Sequence, residues 1–555
     1  MNGWLPKSIL CLRGYTIQQF TADLIAGITV GLVALPLAMA FAISSGVPPQ
    51  AGIYTAIIAG FIISALGGSR VQIGGPTGAF VVVVSSIIVH HGMDGLFLCT
   101  LLAGVLLILL GATGLGTAVK FIPRPVVIGF TNGIALLIAS TQVKDFFGLK
   151  IDHVPSEFFA RSVAIGANFG TLSVPSTVLG TIALTVILLT VRYVKRVPGY
   201  IVALVGGTIA VVVLKLPVET IGSRFGGVPQ GLPHLTPLHL HLSQIPALLP
   251  SALTVAMLGA IESLLSAVVG DRMTGDRHNP NVELIAQGVA NLASPLFGGL
   301  PATGAIARTA TSIRSGAQTP IAGMIHAITL LAVVVFAAPL ARFVPLAVLS
   351  SILFVVSYNM GEWKEIPHLL KMTKADITVW IVTFGLTVFA DLTVAVEVGM
   401  ILAALLYIRK VTLTTTISEI TAEDIDDGRL HVMQDKEIPE YAAIFRIHGP
   451  FLFGATDKVE EILDRIQELP PIVILRLRNM TAIDSTGIQA LEDLAEKLTS
   501  AHRTLLLCGA REQPARLMEQ SSFEEHIGKG NICPHIQAAL ERAEAVYLNE
   551  YADSL

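Results

Sequence analysis

Apolar residues run in long blocks from about Phe20 to Tyr407, and then the blocks stop. They are too long for half-buried strands and nearly free of charge. The pattern therefore predicts helices sized for a bilayer, which needs about 20 apolar residues per crossing. The predicted spans are 20–44, 49–66, 76–90, 95–115, 123–141, 174–192, 197–214, 246–270, 282–297, 302–314, 318–338, 343–358, 375–390 and 392–408. That makes fourteen, with 76–90 and 302–314 short. After Arg409-Lys410 the pattern changes to short apolar runs between charged amphipathic stretches. YAAIFRIHGPFLFG predicts a hairpin, VEEILDRIQEL a helix, and PPIVILRLRNM a buried strand. DSTGIQALEDLAEKL opens another helix, RTLLLCGA is a strand, and two further helices follow. Such alternation predicts a small α/β domain. The expected organisation is a cytoplasmic N-terminus over 1–18 and a transmembrane domain over 19–410, built from repeats at about 19–214 and 245–410. A linker over 411–436, the α/β domain over 437–550 and a tail over 551–555 complete it.

Composition agrees: of 555 residues, 53% are hydrophobic and only 14% charged, too apolar for a soluble enzyme. The positions of the basic residues add an orientation. If Lys7 and Arg13 lie inside, the loops that follow on the same side carry Arg70, then Lys120 and Arg124, then Arg192, Lys195 and Arg196. Arg272 and Arg277, then Lys364, Lys371 and Lys374, and finally Arg409 and Lys410 continue the series. The alternate loops are poorer in positive charge, as in SSGVPPQ and HHGMDG. Positive charge prefers the cytoplasmic side, so both termini are expected in the cytoplasm of a cell with this chain in its inner membrane. The first span is too long for a cleavable signal peptide and lacks a small-residue cleavage site. Cys11, Cys99, Cys508 and Cys533 have no metal or redox spacing and read as free thiols. No Walker motif, dinucleotide fingerprint or nucleophile–base set appears. No enzyme activity, cofactor, metal or nucleic-acid partner is therefore expected, and primary pumping is disfavoured.

The two halves echo each other. Pro36 and Pro76 lie 40 positions apart, and Glu262 and Pro301 lie 39 apart. The third and tenth spans both open on Gly-Gly followed by a breaker, PTGAF in one and PATGAI in the other. With seven spans per repeat, the second half enters from the opposite face, so the two breakers approach the midplane from opposite sides. Irregular backbone at that depth survives only inside protein or along a wet cavity. Helices that start there present unpaired N–H groups and the positive ends of their dipoles. Two such starts facing each other suit an anion.

Long ordered stretches carry a family resemblance: DLIAGITVGLVALPLAMAFA, GGSRVQIGGPTGAFVVVV, LGAIESLLSAVVGDRMTGDRHNPNVELIAQGVANL and FGGLPATGAIARTATSIRSGAQTPIAG. They resemble the sulfate permease (SulP) family of anion transporters, and the tail resembles that family's STAS domain. ALPLAMAFAISSGVPPQAGIYTA and MLGAIESLLSAVVGDRMTG look most like its bacterial carriers of four-carbon dicarboxylates. The resemblance implies a polytopic α-helical protein with a seven-plus-seven inverted repeat and a cytoplasmic α/β STAS-like domain. A core domain would move against a gate domain, elevator-like, and homodimers are frequent. The implied anion site draws on Thr77, Gly78, Ala79 and Phe80, and on Thr303, Gly304, Ala305 and Ile306. Leu37 stands where many relatives carry a glutamine, which removes a side-chain amide from the pocket.

Glu262 is the sharpest single candidate, because an ionisable group within an apolar span is costly and marks function by default. Ser263 and Ser266 lie nearby. In the family this position resembles the coupling residue, and glutamate instead of aspartate favours a proton over sodium; Glu262 with Ser266 forms the expected coupling site. Arg308, one turn past the second breaker, could add positive field at the anion, pair with Glu262, or snorkel toward the cytoplasm. Asp271, Arg272, Asp276, Arg277 and His278 read as a cytoplasmic cap, His90-His91 as a solvated pair, and His326 as a satisfied polar group between helices. Ser485, in DSTG, resembles the phosphorylated serine of anti-sigma-factor antagonists, although Asp484-Ser485 also reads as a simple helix cap.

The expected function is secondary active transport of a small anion (dicarboxylate, sulfate or bicarbonate) across the lipid bilayer, coupled to protons. The alternative is a gated anion channel or an exchanger regulated by the STAS-like domain, which could also bind a cytoplasmic partner. A membrane sensor is disfavoured, since no output module follows the tail.

Overall fold

The computed structural model describes residues 4–117, 123–151, 154–155, 157–193, 198–390, 392–420, 438–528 and 530–551. Lys120, Lys195 and Arg196 of the predicted basic loops lie outside the described residues, as do 421–436 of the predicted linker and 552–555 of the tail. The chain divides into two compact units, Met1–Ala403 and Ala404–Leu555.

The first unit is helical. Its first half comprises α1 (Lys7–Leu12), α2 (Ile17–Ser44), α3 (Pro49–Leu66), β1 (Gly74–Gly75), α4 (Ala79–Ala112), α5 (Arg124–Phe147), α6 (Phe158–Ala167), α7 (Val174–Tyr193) and α8 (Gly199–Leu214). After α9 (Ile221–Phe225) come α10 (Ile245–Thr274), α11 (Pro280–Ala293), β2 (Thr303–Gly304), α12 (Ile306–Arg314), α13 (Ile321–Ala341), α14 (Leu346–Met360), α15 (Ile366–Leu369) and α16 (Lys374–Phe389). A final helix, α17 (Leu392–Thr414), begins in the first unit and ends in the second. Local chemistry sets several starts. Thr16 and Gln19 exchange hydrogen bonds in a capping box before α2, and prolines occupy the first turns of α3, α5 and α11. The spans predicted at 76–90 and 95–115 are separated inside α4 by Gly92, whose φ of 68° and ψ of −169° interrupt the helix. Among the described residues, eight helices are long and apolar enough to cross a membrane. The segment 302–314 is helical only from Ile306, so the count of fourteen remains a sequence expectation.

Packing sorts these helices into two groups. α2, α3, α4, α10, α11, α12 and α13 pack mainly on one another, while α5, α7, α8, α14 and α16 form a second set. Loops predicted on one face do meet. Lys7 Nζ reaches Asp276 Oδ2 at 2.7 Å, Arg70 Nε donates to the Gln318 carbonyl at 2.6 Å, and Arg124 pairs with Glu365 at 2.8 Å. On the alternate side, Arg224 grips Asp145 through both terminal nitrogens, at 3.1 and 2.7 Å. The gap between the predicted spans 123–141 and 174–192 holds a further helix, α6.

Two buried carboxylates pin the first group together. Asp23, fully buried, accepts from the backbone N–H groups of Gln318 and Thr319 at 2.7 and 3.1 Å, and from Tyr15. Glu283, also fully buried, accepts from the N–H groups of Gly68 and Ser69 at 2.9 and 3.0 Å, from Gln287 Nε2 at 2.9 Å and from Ser263 Oγ at 3.4 Å. Removing it strands several buried donors at about 1–3 kcal/mol each. Glu283→Ala should therefore cause a large drop in the detergent-phase melting temperature, and Glu283→Gln a smaller one, as read by a thermal-shift assay.

The second unit carries a five-stranded sheet in the order β3-β4-β5-β6-β7, with β3 (Thr416–Glu419) antiparallel to β4 (Ala442–Phe451). β5 (Ile472–Ile483), β6 (Thr504–Cys508) and β7 (Ile532–Cys533) continue it in parallel. The helices are α18 (Glu460–Leu463), α19 (Ser485–Ser500), α20 (Glu512–Gln520), α21 (Glu524–Ile527) and α22 (Ile536–Glu550). The hairpin expected in YAAIFRIHGPFLFG is a single strand. Gly449, at φ 96°, sits between two register shifts of the β4–β5 ladder and bulges the strand without reversing it. The four cysteines are free thiols.

Candidate anion site

Both predicted breakers interrupt helix, and they meet. Gly74 and Gly75 pair antiparallel with Gly304 and Thr303 in a two-residue ladder. The backbone link extends to Ala305, whose N–H donates to the Ile73 carbonyl at 2.8 Å. α4 and α12 thus leave the ladder from opposite ends, and neither has a side-chain N-cap. Close approach requires the glycines. A Cβ on Gly304 would lie 1.8 Å from Gln72 Nε2, and one on Gly78 would lie 2.8 Å from Ile138 and 3.3 Å from the Phe41 ring. Gly304→Ala should abolish transport by prising β2 from Gln72, and flux per correctly folded molecule is the measurement that checks it.

Arg308 hangs over this junction. It is 3% exposed, and its Nη2 donates to the Pro76 carbonyl at 2.9 Å. Its Nη1 is buried without a hydrogen-bond partner, and the guanidinium stands 6.0 Å from the centre of the Phe41 ring. Among the described residues no carboxylate forms an ion pair with it, so neither pairing with Glu262 nor snorkelling describes its position. Glu262, half-buried, instead accepts from Thr77 Oγ1 at 2.8 Å. The expected coupling carboxyl therefore touches the first breaker directly.

The remaining sequence candidates divide. Thr303 Oγ1 donates to the Gly259 carbonyl at 2.8 Å, which ties the second breaker to α10 one turn before Glu262. Ser266 bonds Thr309 at 3.0 Å, and Thr309 Oγ1 in turn accepts from the Ile73 N–H at 3.0 Å. Ser266 thus braces the ladder and does not bond Glu262. Ala79, Phe80 and Ala305 are buried and Ile306 is exposed. Leu37 is buried on α2 one turn before Phe41. Ser485 lies in the other unit, exposed at the start of α19, where Asp484 caps Gly487 N–H at 2.8 Å.

Sequence reasoning missed Phe41, Gln72, Thr309 and Glu283. Gln72 Nε2 donates to Ser263 Oγ at 3.0 Å, and Ser263 donates to Glu283, so one buried chain joins the first breaker, the residue after Glu262, and α11. His326 corrects an expectation. It is fully buried, yet neither ring nitrogen has a hydrogen-bond partner among the described residues.

Comparisons with known proteins place the chain in a family. Residues 20–383 match the Sulfate permease family, and residues 433–539 match the STAS domain. YvdB of Bacillus subtilis, provisionally named a sulfate transporter, is 40% identical over 525 residues, covering 94% of this chain and 98% of that protein. The bicarbonate transporter BicA of a Picosynechococcus species is 29% identical over 551 residues, covering 95% of each. The inward-facing structure of the murine anion transporter Slc26a9 superposes with a TM-score of 0.86 at 18% identity, covering 98% of this chain and 94% of that one. That last likeness is one of fold.

Proposed function

Since the chain belongs to the sulfate permease family, we propose that it is a secondary active transporter of a small oxyanion, coupled to protons, with the anion held between β1–α4 and β2–α12. The observation that carries this reading is Arg308: a buried guanidinium with one unpartnered nitrogen and no carboxylate among the described residues to neutralise it. An unpaired buried cation is costly. A visiting anion relieves that cost, and two uncapped helix starts add their dipoles to the same field.

The role of each residue follows. Gly78 and Ala79 at the start of α4, with Gly304 and Ile306 before and within the first turn of α12, offer backbone N–H groups, whereas the Phe80 and Ala305 N–H groups donate to the Thr77 and Ile73 carbonyls and hold the two breakers in shape. Thr77 and Thr303 tie the two breakers to α10. Leu37 supplies an apolar wall. Glu262 takes a proton on one side and releases it on the other, and its hydrogen bond to Thr77 transmits that change to the anion site. The first packing group carries the whole site and moves against the second as an elevator.

Relatives named for sulfate and for bicarbonate make those two anions the first substrates to try, with succinate as the dicarboxylate arm. The test is radiotracer uptake into proteoliposomes with an imposed pH gradient. Concentrative uptake driven by outside acid supports the proposal. Flux that only dissipates an anion gradient means a channel, and uptake that requires a counter-anion means an exchanger. A phosphate on exposed Ser485, at the positive end of α19, would regulate this flux from the STAS domain.

A further inference from the structure

The sheet of the second unit changes character from one transverse row to the next. On the face covered by α22, the row Ile420, Ile444, Ile474 and Leu506 is wholly apolar. One step along, in register across all five strands, stand Ser418, Arg446, Arg476, Cys508 and Cys533. Two arginines are therefore direct neighbours on adjacent strands, where like charges repel. Arg476 is 7% exposed and has no hydrogen bond among the described residues. Arg446 has its Nε buried without a partner, and its Nη2 makes only a long 3.4 Å bond to Ser418 Oγ. No carboxylate among the described residues pairs with either. Exposed Arg478 adds a third positive charge, and Arg542 lies beside Cys533 with its Nε on Asn531 Oδ1 at 3.0 Å. Burial first, and then the charges of Arg478 and Arg446, hold the Arg476 guanidinium below its ordinary pKa. Cys508 offers no counter-charge, because burial pushes its thiol up to about 12.

We propose that Arg446 and Arg476 form an oxyanion-binding site in the STAS domain, separate from the transport site. The guanidinium fork matches an oxyanion with two N–H groups per arginine. Ser418 Oγ adds a hydroxyl, and the soft Cys508 side chain closes the row without opposing charge. The row ends β6 and β7 at Cys508 and Cys533, so the two arginines on the longer β4 and β5 stand beside the place where the neighbouring strands stop. The ligand is a sulfate-like or phosphate-like anion, which gives the domain a means of sensing either the transported ion or a phosphorylated metabolite.

Hydrogen–deuterium exchange on the full-length protein in nanodiscs tests this, with sodium sulfate, sodium phosphate or sodium chloride at matched ionic strength. An anion at about four times its dissociation constant slows exchange through local opening about fivefold. That slowing is expected at 444–448 and 474–478, and should be lost in Arg446→Gln and in Arg476→Met. Unchanged exchange across 485–500 verifies that each variant is folded. The slowing should persist in Arg308→Gln, so failure of the transport reading and failure of this one are distinguishable. Sulfate favoured over phosphate identifies the sensed ion as the transported class; the reverse identifies a phosphorylated metabolite. Equal slowing by chloride, no slowing by any anion, or undiminished slowing in both arginine variants overturns the proposal.

Discussion

Arg308→Met should raise the apparent KM for the transported anion by at least about thirtyfold, while the unliganded protein melts no lower than the parent. The argument is electrostatic. At about 4 Å and an effective dielectric constant of about 20, two unit charges attract by about 4 kcal/mol. Half of that survives realistic screening, and about 2 kcal/mol corresponds to roughly thirtyfold in affinity. Stability should move the other way. Arg308 offers its buried surroundings one bond to Pro76 and one unpartnered nitrogen. Replacing an unpaired buried ion with an apolar side chain of similar length removes a desolvation cost and leaves no carboxylate stranded. Arg308→Lys keeps the charge but loses the planar fork, so its KM should fall between the two. Saturation kinetics in proteoliposomes and thermal melts on the same preparations read both quantities. Full transport by Arg308→Met would refute the anion site.

Why the sequence reveals this site and hides its support is a question of range. Gly74-Gly75-Pro76-Thr77-Gly78 and Leu300-Pro301-Ala302-Thr303-Gly304 break helices by local chemistry alone. The repeat and the apolar blocks then place both at matched depths, so the meeting of the breakers is legible before any coordinates. The support is not local. Glu283 acts 215 positions from Gly68, and Asp23 acts 295 positions from Gln318. Nothing in NVELIAQ distinguishes a carboxylate that pins a distant loop from one that faces solvent. In the tail, Gly449-Pro450 carries turn chemistry and invites a hairpin, whereas the parallel ladder to β5, running from Ala442 to Phe451, carries the strand on through the bulge. β3, with only TISE, is too short to show alternation, and pairing alone identifies it. His326 errs in the opposite direction: a polar residue in an apolar helix suggests a partner, and the packing of the described residues supplies none.

Glu262→Gln should abolish accumulation driven by an acidic exterior while anion-for-anion exchange continues at a reduced rate. Glutamine holds the shape and polarity of the protonated acid but cannot release a proton. If Glu262 carries the coupling proton, the substituted carrier remains permanently in its protonated form, and inward and outward trips become equivalent. The Thr77 hydroxyl donates to Glu262 Oε2 in the present structure, and the glutamine carbonyl can accept the same bond. The first breaker therefore stays in place, and the loss is one of coupling and not of fold. Thr77→Val supplies the complementary case. It removes the hydroxyl and with it the tie from the first breaker to α10, while leaving the carboxyl able to titrate. Proton dependence should therefore persist while the apparent KM for the anion rises, as measured by initial rates across an external pH series at fixed internal pH. A Glu262→Gln carrier that still concentrates anion under a proton gradient would assign coupling to another group. Retained accumulation that follows a sodium gradient instead would replace the proton as the coupling ion.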